Sequence, residues 1–359
     1  MNTPTITNGL IPEWYPQDCV ILAWPDASMD WASNLTEVRA CYIQIIDNIL
    51  EATDVLLLLD EPTSVPEDKV KVWQEHPCHR VFFVPYFPLN DTWMRDVMPL
   101  FGIKDGVPVA YDYGFNAWGL KFAANFDNTA VRRLFFERSI FSPTIRHINR
   151  LDTILEGGAI DVNSRGEVLT TGCVLWEENR NPNYLIGRYD SYFSSDMGIR
   201  KVCELEHTVA LPGDDTDGHI DTLARFVGDE TILYCASNNT HDPLYPQLKA
   251  MEDELKALTS VEGKPYRCIP IPVPAPHFGI DGEQLPATYV NFLITNGLII
   301  VPTYADENDD VALEIIRSVL PNYRVVGVDC TALIQQHGSL HCITMQVPKG
   351  FINPERKQS

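Results

Sequence analysis

The chain has 359 residues, of which 45% are hydrophobic and 21% charged, enough apolar material for one large or two medium cores and too much for a disordered protein. Its formal net charge of -22 argues against nucleic acid or an anionic membrane surface as partner and favours attraction of cations. No apolar run approaches the roughly 18 residues of a membrane span, and Met1-Asn2-Thr3-Pro4-Thr5 lacks a leader's basic and apolar regions, so a cytoplasmic protein is expected.

In chain order, Val20 to Trp24 reads as a short apolar strand. A helix follows, because Val38, Cys41, Tyr42, Ile45, Ile46, Ile49 and Leu50 recur at helical spacing behind Asn34 and Glu37, placed like a capping box. Val55 to Leu59 and Val81 to Val84 are predicted as buried strands around a helix at Pro66 to Glu75. Strands that alternate with helices mean an α/β protein.

From Asn90 onward a strand, tight turn and strand pattern repeats. Val97 to Ile103 turns into Val107 to Tyr111, Ala159 to Val162 into Glu167 to Val174, Ile220 to Val227 into Thr231 to Cys235, and Thr288 to Ile294 into Leu298 to Tyr304. The turn glycines Gly106, Gly166, Gly228 and Gly297 are 60, 62 and 69 residues apart. A partial fifth copy begins at Cys342, runs toward Gly350 and lacks a second strand, for which Val20 to Trp24 is the candidate. The expected architecture is a single domain over 1–359, a five-bladed pseudo-symmetric α/β propeller of hairpin-helix-strand modules whose ring is closed by the N-terminal strand. The residues heading each hairpin should then meet at its centre. Asp96, Glu156, His219 and Cys342 lie ten, ten, nine and eight residues ahead of their turn glycines, whereas the fourth module offers only inert residues near Ala287.

The densest polar stretch is Asp214-Asp215-Thr216-Asp217-Gly218-His219-Ile220-Asp221-Thr222. Crowded carboxylates repel, so they persist where a cation, a metal or a catalytic task holds them, or where they simply form a solvated loop. An EF-hand is excluded, since Gly213 and Ala224 stand where its first and last ligands belong. No second His or Cys pair completes a zinc site nearby, so no metal or cofactor is expected. His219 and Asp221, at i and i+2, would share one face of a strand. Nine scattered cysteines without a CxxC pair are expected as reduced thiols. Cys342, after His337-Gly338-Ser339-Leu340-His341, is the candidate nucleophile, its pKa lowered by His219 or by a bound positive charge. His337 and His341 have the i, i+4 spacing of helical zinc ligands, but Gly338 and Ser339 favour a loop. Asp96 and Asp221 suit the two edges of a planar guanidinium, and Gly157-Gly158 behind Glu156 permit close backbone approach.

These residues carry a resemblance. Asn90-Asp91-Thr92-Trp93-Met94-Arg95-Asp96, Leu155-Glu156-Gly157-Gly158, the run from Asp214 to Phe226 and His341-Cys342 resemble the signature set of agmatine deiminases, guanidino-group modifying enzymes related to bacterial peptidylarginine deiminase. The resemblance implies a five-bladed propeller and cofactor-free hydrolysis of agmatine to N-carbamoylputrescine and ammonia, a step of putrescine biosynthesis. It gives Cys342 the nucleophile role, His219 the acid/base role and Asp96 with Asp221 the guanidinium, and it places Glu156 and Asp215 near the pocket. Trp93 and Trp118 are candidate walls for the substrate's apolar stem. Met94, Val97, Met98 and His337-Gly338-Ser339-Leu340 depart from the family's usual residues. The implied partner is a small cationic guanidino substrate, with a homo-oligomer left open. Three rivals stay in view: a deiminase of arginine or peptidyl-arginine, an amidinotransferase, and an agmatine- or polyamine-binding protein without catalysis. A metal-dependent hydrolase is a fourth, distinguished by its sensitivity to chelator.

Overall fold

The structure is a computed structural model that describes residues 5–182, 188–208 and 210–357. Its strands form six separate sheets of four, three, three, two, three and four strands. Five share one topology, an antiparallel pair whose second strand takes a parallel neighbour. Leu100–Lys104 pairs with Val107–Gly114 and then Arg146–Ile154; Ile160–Val162 with Glu167–Thr171 and then Lys201–Leu205. Ala224–Phe226 pairs with Thr231–Ala236 and then Arg267–Pro272, and Leu293–Thr295 with Leu298–Thr303 and then Arg324–Asp329. The last strand, Met345–Pro348, finds its antiparallel partner in Gln17–Ala23, which continues in parallel into Asp54–Leu58 and Val81–Val84.

The expected five-bladed propeller is corrected by this pairing. Among the described residues the backbone ladders end at each sheet's edges, so the fold is a mixed α/β assembly of small sheets and not a closed ring of blades. The units are also unequal. Gly9–Leu10 extends one sheet, His277–Phe278 and Gln284–Leu285 form a two-stranded sheet outside the repeat, and the connection between Val107–Gly114 and Arg146–Ile154 holds only short helical turns. Full helices serve the other connections: Leu35–Ile49, Glu67–Gln74, Arg188–Met197, Tyr245–Ala257 and Asp309–Val319. No helix among the described residues is long and apolar enough to cross a membrane.

Local chemistry explains most of these elements. The parallel third strand demands a crossover, and the helices supply it. Leu35–Ile49 buries Val38, Cys41, Tyr42, Ile45, Ile46 and Ile49, the stripe its spacing foretold. Its expected capping box does not form: Asn34 makes no side-chain cap and instead donates Nδ2 to the carbonyl of Ala332, 3.0 Å away. The tertiary bond orients the amide through Nδ2, and Oδ1, the atom a local cap would use, is buried without a hydrogen-bond partner among the described residues. The turn glycines Gly106, Gly166, Gly228 and Gly297 all have positive φ, as their tight turns require. Buried apolar side chains from Leu10 to Ile352 belong to one contiguous cluster. Ile45 is fully buried in it, so Ile45→Ala should lower the unfolding free energy by about 2–5 kcal/mol in urea titration; a loss within experimental error would mean that the helix does not pack as described.

Candidate active site

Four of the five antiparallel pairs are headed by a polar residue at the turn that feeds the first strand, and these four converge. Asp96 lies in the turn Met94–Val97, Glu156 precedes Gly157–Ala159, His219 precedes Ile220–Thr222, and Cys342 precedes Met345–Pro348. His219 Nδ1 is 3.7 Å from Asp96 Oδ1 and its Nε2 is 3.9 Å from Glu156 Oε2. Cys342 Sγ lies 3.7 Å from Asp221 Oδ2. The backbone clamps the set, because Arg95 N donates to the Cys342 carbonyl at 3.0 Å and Gly158 N to Asp96 Oδ1 at 2.9 Å.

His219 and Asp221 share the site, but not on the strand that their spacing suggested. Ile220–Thr222 is a turn of 3-10 helix, and the strand begins only at Ala224. The fourth unit is not inert either. Its Asn291 donates Nδ2 toward Asp221 Oδ2 at 3.2 Å and Cys342 Sγ at 3.3 Å, and its Oδ1 accepts from His341 N at 2.9 Å. A lone amide in the apolar run Tyr289-Val290-Asn291-Phe292-Leu293 was the available signal. His341, in a loop as Gly338 and Ser339 indicated, sets Nδ1 2.7 Å from Asp221 Oδ2 and Nε2 2.7 Å from Glu13 Oε1. Glu13 also meets Arg95 at 3.1 Å and Arg225. Nothing local in the sequence marks Glu13 for this role.

Cys342 and Asp96 line a cavity of about 480 Å³ together with Asp30, Asp91, Asp127 and Asp215, the rings of Trp93, Phe115, Trp118 and Phe122, and His337. No Lys or Arg is among its described lining residues. Trp93 and Trp118 are walls whose indole N–H groups are spoken for: Trp118 Nε1 donates to Asp96 Oδ2 at 2.9 Å and Trp93 Nε1 to Asp91 Oδ2 at 3.0 Å. Asp215 stands at the lining with a half-exposed side chain, 3.9 Å from His337 Nε2. Glu156 is not in the lining; it stands behind His219, gripped by Arg180 Nε at 2.9 and 3.2 Å. Arg180 in turn reaches Asp217 at 2.8 Å. Met94, Val97 and Met98 are buried core residues outside the cavity wall.

A family model described as Porphyromonas-type peptidyl-arginine deiminase matches residues 9–348. The chain belongs to this family. Among curated relatives, a protein of Shewanella sp. (strain MR-4) named "Putative agmatine deiminase" is 30% identical over 94% of this chain and 93% of its own length. Another of that name from Vibrio parahaemolyticus is 28% identical over 94% and 95%. Of the solved structures, one described as the "Putative Arginine Deiminase from Porphyromonas gingivalis" is 41% identical, with a TM-score of 0.88 over 96% of this chain and 100% of that one. A cysteine-to-serine variant of the agmatine deiminase of C. jejuni with substrate bound is 33% identical, with a TM-score of 0.85 over 95% and 96%.

The charges at the site fall into two classes. Burial alone would raise Asp221, but the hydrogen bond and charge of His341, with His219 and Arg225, outweigh it and hold the carboxyl below its ordinary value. Asp96 goes the other way: burial raises it, and Asp221 and Glu156 add to the shift against the opposing pull of His219. The Cys342 thiol is pushed well up by burial and then by the Asp221 and Asp96 charges. This corrects the expectation that His219 lowers it; of the two sources considered, only a bound cation remains.

Two predictions follow from this geometry and charge. A Cβ on Gly158 would stand 2.5 Å from His219 Nδ1 and 3.0 Å from Asp96 Oδ1, so Gly158→Ala should displace the imidazole and cut activity about 100-fold while the far-ultraviolet dichroism stays native. Unchanged activity would place His219 outside the reaction. Asp127, raised to about 7 chiefly by burial, binds a proton in the folded state across the window from its ordinary 3.8 to about 7, where the unfolded chain does not. Wild-type stability therefore falls as pH climbs through that window. Asp127→Asn removes the effect, so urea denaturation should show its advantage over wild type growing from pH 4 to pH 8; a pH-independent difference would contradict the shift.

Proposed function

We propose that the protein is a guanidino-group hydrolase, an agmatine deiminase that converts agmatine and water to N-carbamoylputrescine and ammonia. The observation that carries this reading is the cavity itself: the Cys342 thiol in its lining, five lining carboxylates, aromatic walls and no Lys or Arg among its described lining residues, with His219 3.7 Å from the lining carboxylate of Asp96. Free arginine brings a carboxylate that such a lining would repel, whereas agmatine brings an ammonium on an apolar stem. Family membership agrees with guanidino chemistry, and the agmatine names of the curated relatives agree with the tail.

In the proposed mechanism Asp96 and Asp221 grip the guanidinium, Asp221 through Oδ1, which is buried without a hydrogen-bond partner among the described residues. The arriving cation offsets the carboxylates that hold the Cys342 thiol protonated. A unit charge about 4 Å away in surroundings of effective dielectric near 20 is worth about 4 kcal/mol, or roughly three pKa units of thiol acidity. The Cys342 thiol then gives up its proton to solvent, and the thiolate attacks the central carbon and forms the C–S bond. His219, both of whose ring nitrogens are without hydrogen-bond partners among the described residues, gives a proton to the leaving nitrogen, and ammonia departs to leave an S-alkylthiouronium. His219 then takes one proton from water as its oxygen bonds to that carbon; the C–S bond breaks to restore the thiolate, and the second water proton passes through solvent to the departed ammonia as the ureido carbonyl forms. Glu156 and Arg180 back the imidazole on the side away from the cavity, and no step calls for a metal or cofactor.

The test is ammonia and ureido product formed in chelator from agmatine, arginine and a blocked arginine peptide, with wild type and Cys342→Ala. Agmatine alone should turn over, and the variant should lose at least about 1000-fold. Preference for arginine or the peptide would overturn the tail assignment. Agmatine bound but never hydrolysed would leave a binding protein.

A further inference from the structure

One buried group at the site has no part in that mechanism. His341 is 1% exposed and presents both ring nitrogens to carboxylate oxygens at 2.7 Å, Nδ1 to Asp221 and Nε2 to Glu13. Ionised carboxylates only accept hydrogen bonds, so each of these nitrogens must carry a hydrogen. A neutral tautomer would point a lone pair at an oxygen lone pair on one side. We propose that His341 is a positioning residue: bridged between Glu13 and Asp221 with a proton on each ring nitrogen, it holds Asp221 as an oriented carboxylate whose Oδ1 is left for the substrate guanidinium. The proposal rests on the deiminase reading above.

Three observations support it. Asp221 divides its oxygens, with Oδ2 taking His341 at 2.7 Å and Asn291 at 3.2 Å beside the Cys342 sulfur, and Oδ1 without a hydrogen-bond partner among the described residues. The ring itself is fixed, since His341 N donates to Asn291 Oδ1 at 2.9 Å. Glu13 is also fixed, accepting from Gln346 Nε2 at 3.0 Å and facing Arg95 and Arg225. The charged and titratable groups around the ring are thus Glu13, Asp221, Arg95, Arg225, Asp161 and Cys342. Both flanking carboxyls lie below their ordinary range: burial opposes this in each, but Arg225 and His341 prevail at Glu13 and His341 at Asp221. Two guanidinium groups also face Glu13, and Asp221 Oδ2 already accepts from Asn291 Nδ2, so the ring is the group that carries the hydrogen on each side. A protonated His341 also screens Asp221 from the thiol on the side opposite the substrate.

The experiment has two arms on the whole protein. Nitrogen-15 spectra of histidine-labelled wild type at pH 7.5, with the His341 ring assigned through its contacts to Asn291, should show a bonded hydrogen on both ring nitrogens. A single N–H would overturn the proposal whether or not any variant folds. In His341→Gln, alkylation of Cys342 by iodoacetamide should slow about tenfold at fixed pH, one pKa unit of thiol acidity, and kcat should fall about 10–100-fold, the usual loss when the partner that orients a reacting group is removed. Glu13→Gln should shift both in the same direction by less. A folded His341→Gln protein with wild-type alkylation and kcat would also overturn it. If agmatine is not the substrate, turnover fails in wild type while the spectra and the alkylation still report on His341, so the two failures are separable.

Discussion

The site depends on a knot of charge that the fold closes around Glu13. This side chain is only 15% exposed and meets Arg95, Arg225 and His341. Each partner comes from the turn or strand heading a different sheet, and Asp161 and the Phe292 carbonyl complete the coordination of Arg225 from two more. Desolvating such ions costs several kcal/mol apiece, and their mutual attraction repays it only while the set is complete. The knot is therefore better understood as a device for register than as a source of stability. Sheets that share no backbone ladder are held to a common centre by groups that tolerate no vacancy, and the residues to which the proposed mechanism gives the chemistry are neighbours of those groups in sequence: Asp96 beside Arg95, Cys342 beside His341.

From that arrangement follows the electrostatic character of the cavity. Positive charge is spent beneath the floor, on Glu13, Asp161 and Glu156, and the lining above is left with carboxylates and aromatic rings. An anion entering meets the lining carboxylates of Asp30, Asp91, Asp96, Asp127 and Asp215, while a cation is attracted by them and by the rings along the walls. The thiol feels the same field, which adds to burial in raising it; on the proposed mechanism a bound cation is what offsets that field. On the proposed mechanism specificity and activation are one property, since the ligand that the lining favours is also the one that would ionise the thiol.

Much of this was legible in the sequence because it follows from short-range rules. Hairpin turns with glycine, helices with apolar stripes, and the matched offsets of Asp96, Glu156, His219 and Cys342 are local patterns, and the four residues do converge. What was illegible is long-range. Glu13 is 328 residues from His341, Arg180 reaches Glu156 from a loop without periodicity, and Asn34 abandons its cap for a carbonyl 298 residues away. Asn291 was hidden by assuming strict equivalence of the repeats, and the same assumption produced the propeller. Repetition of topology does not require equal units or ladders between them. Placing His219 and Asp221 on a strand failed for a similar reason, as turns of 3-10 helix leave little trace in hydrophobic pattern.

One segment shows how strain is accommodated at the cavity wall. Ala117, Trp118, Gly119 and Leu120 all have positive φ, between 52° and 85°, a turn of left-handed backbone that costs roughly 1–2 kcal/mol for each residue other than glycine. Leu120 is 70% exposed, so burial of its side chain does not offset the cost. The compensation is local and polar. Gly119 N donates to Asn116 Oδ1 at 3.0 Å, Leu120 N to the Asn116 carbonyl at 2.9 Å, and Lys121 Nζ to Asp217 at 2.7 Å. What the strain secures is the placement of Trp118, edge-on to Phe115 at 5.3 Å and bonded to Asp96. A right-handed turn would carry the indole away from that carboxylate and leave one wall open. The irregular backbone is therefore placed where a wall of the cavity and the carboxylate of Asp96 are fixed by the same side chain.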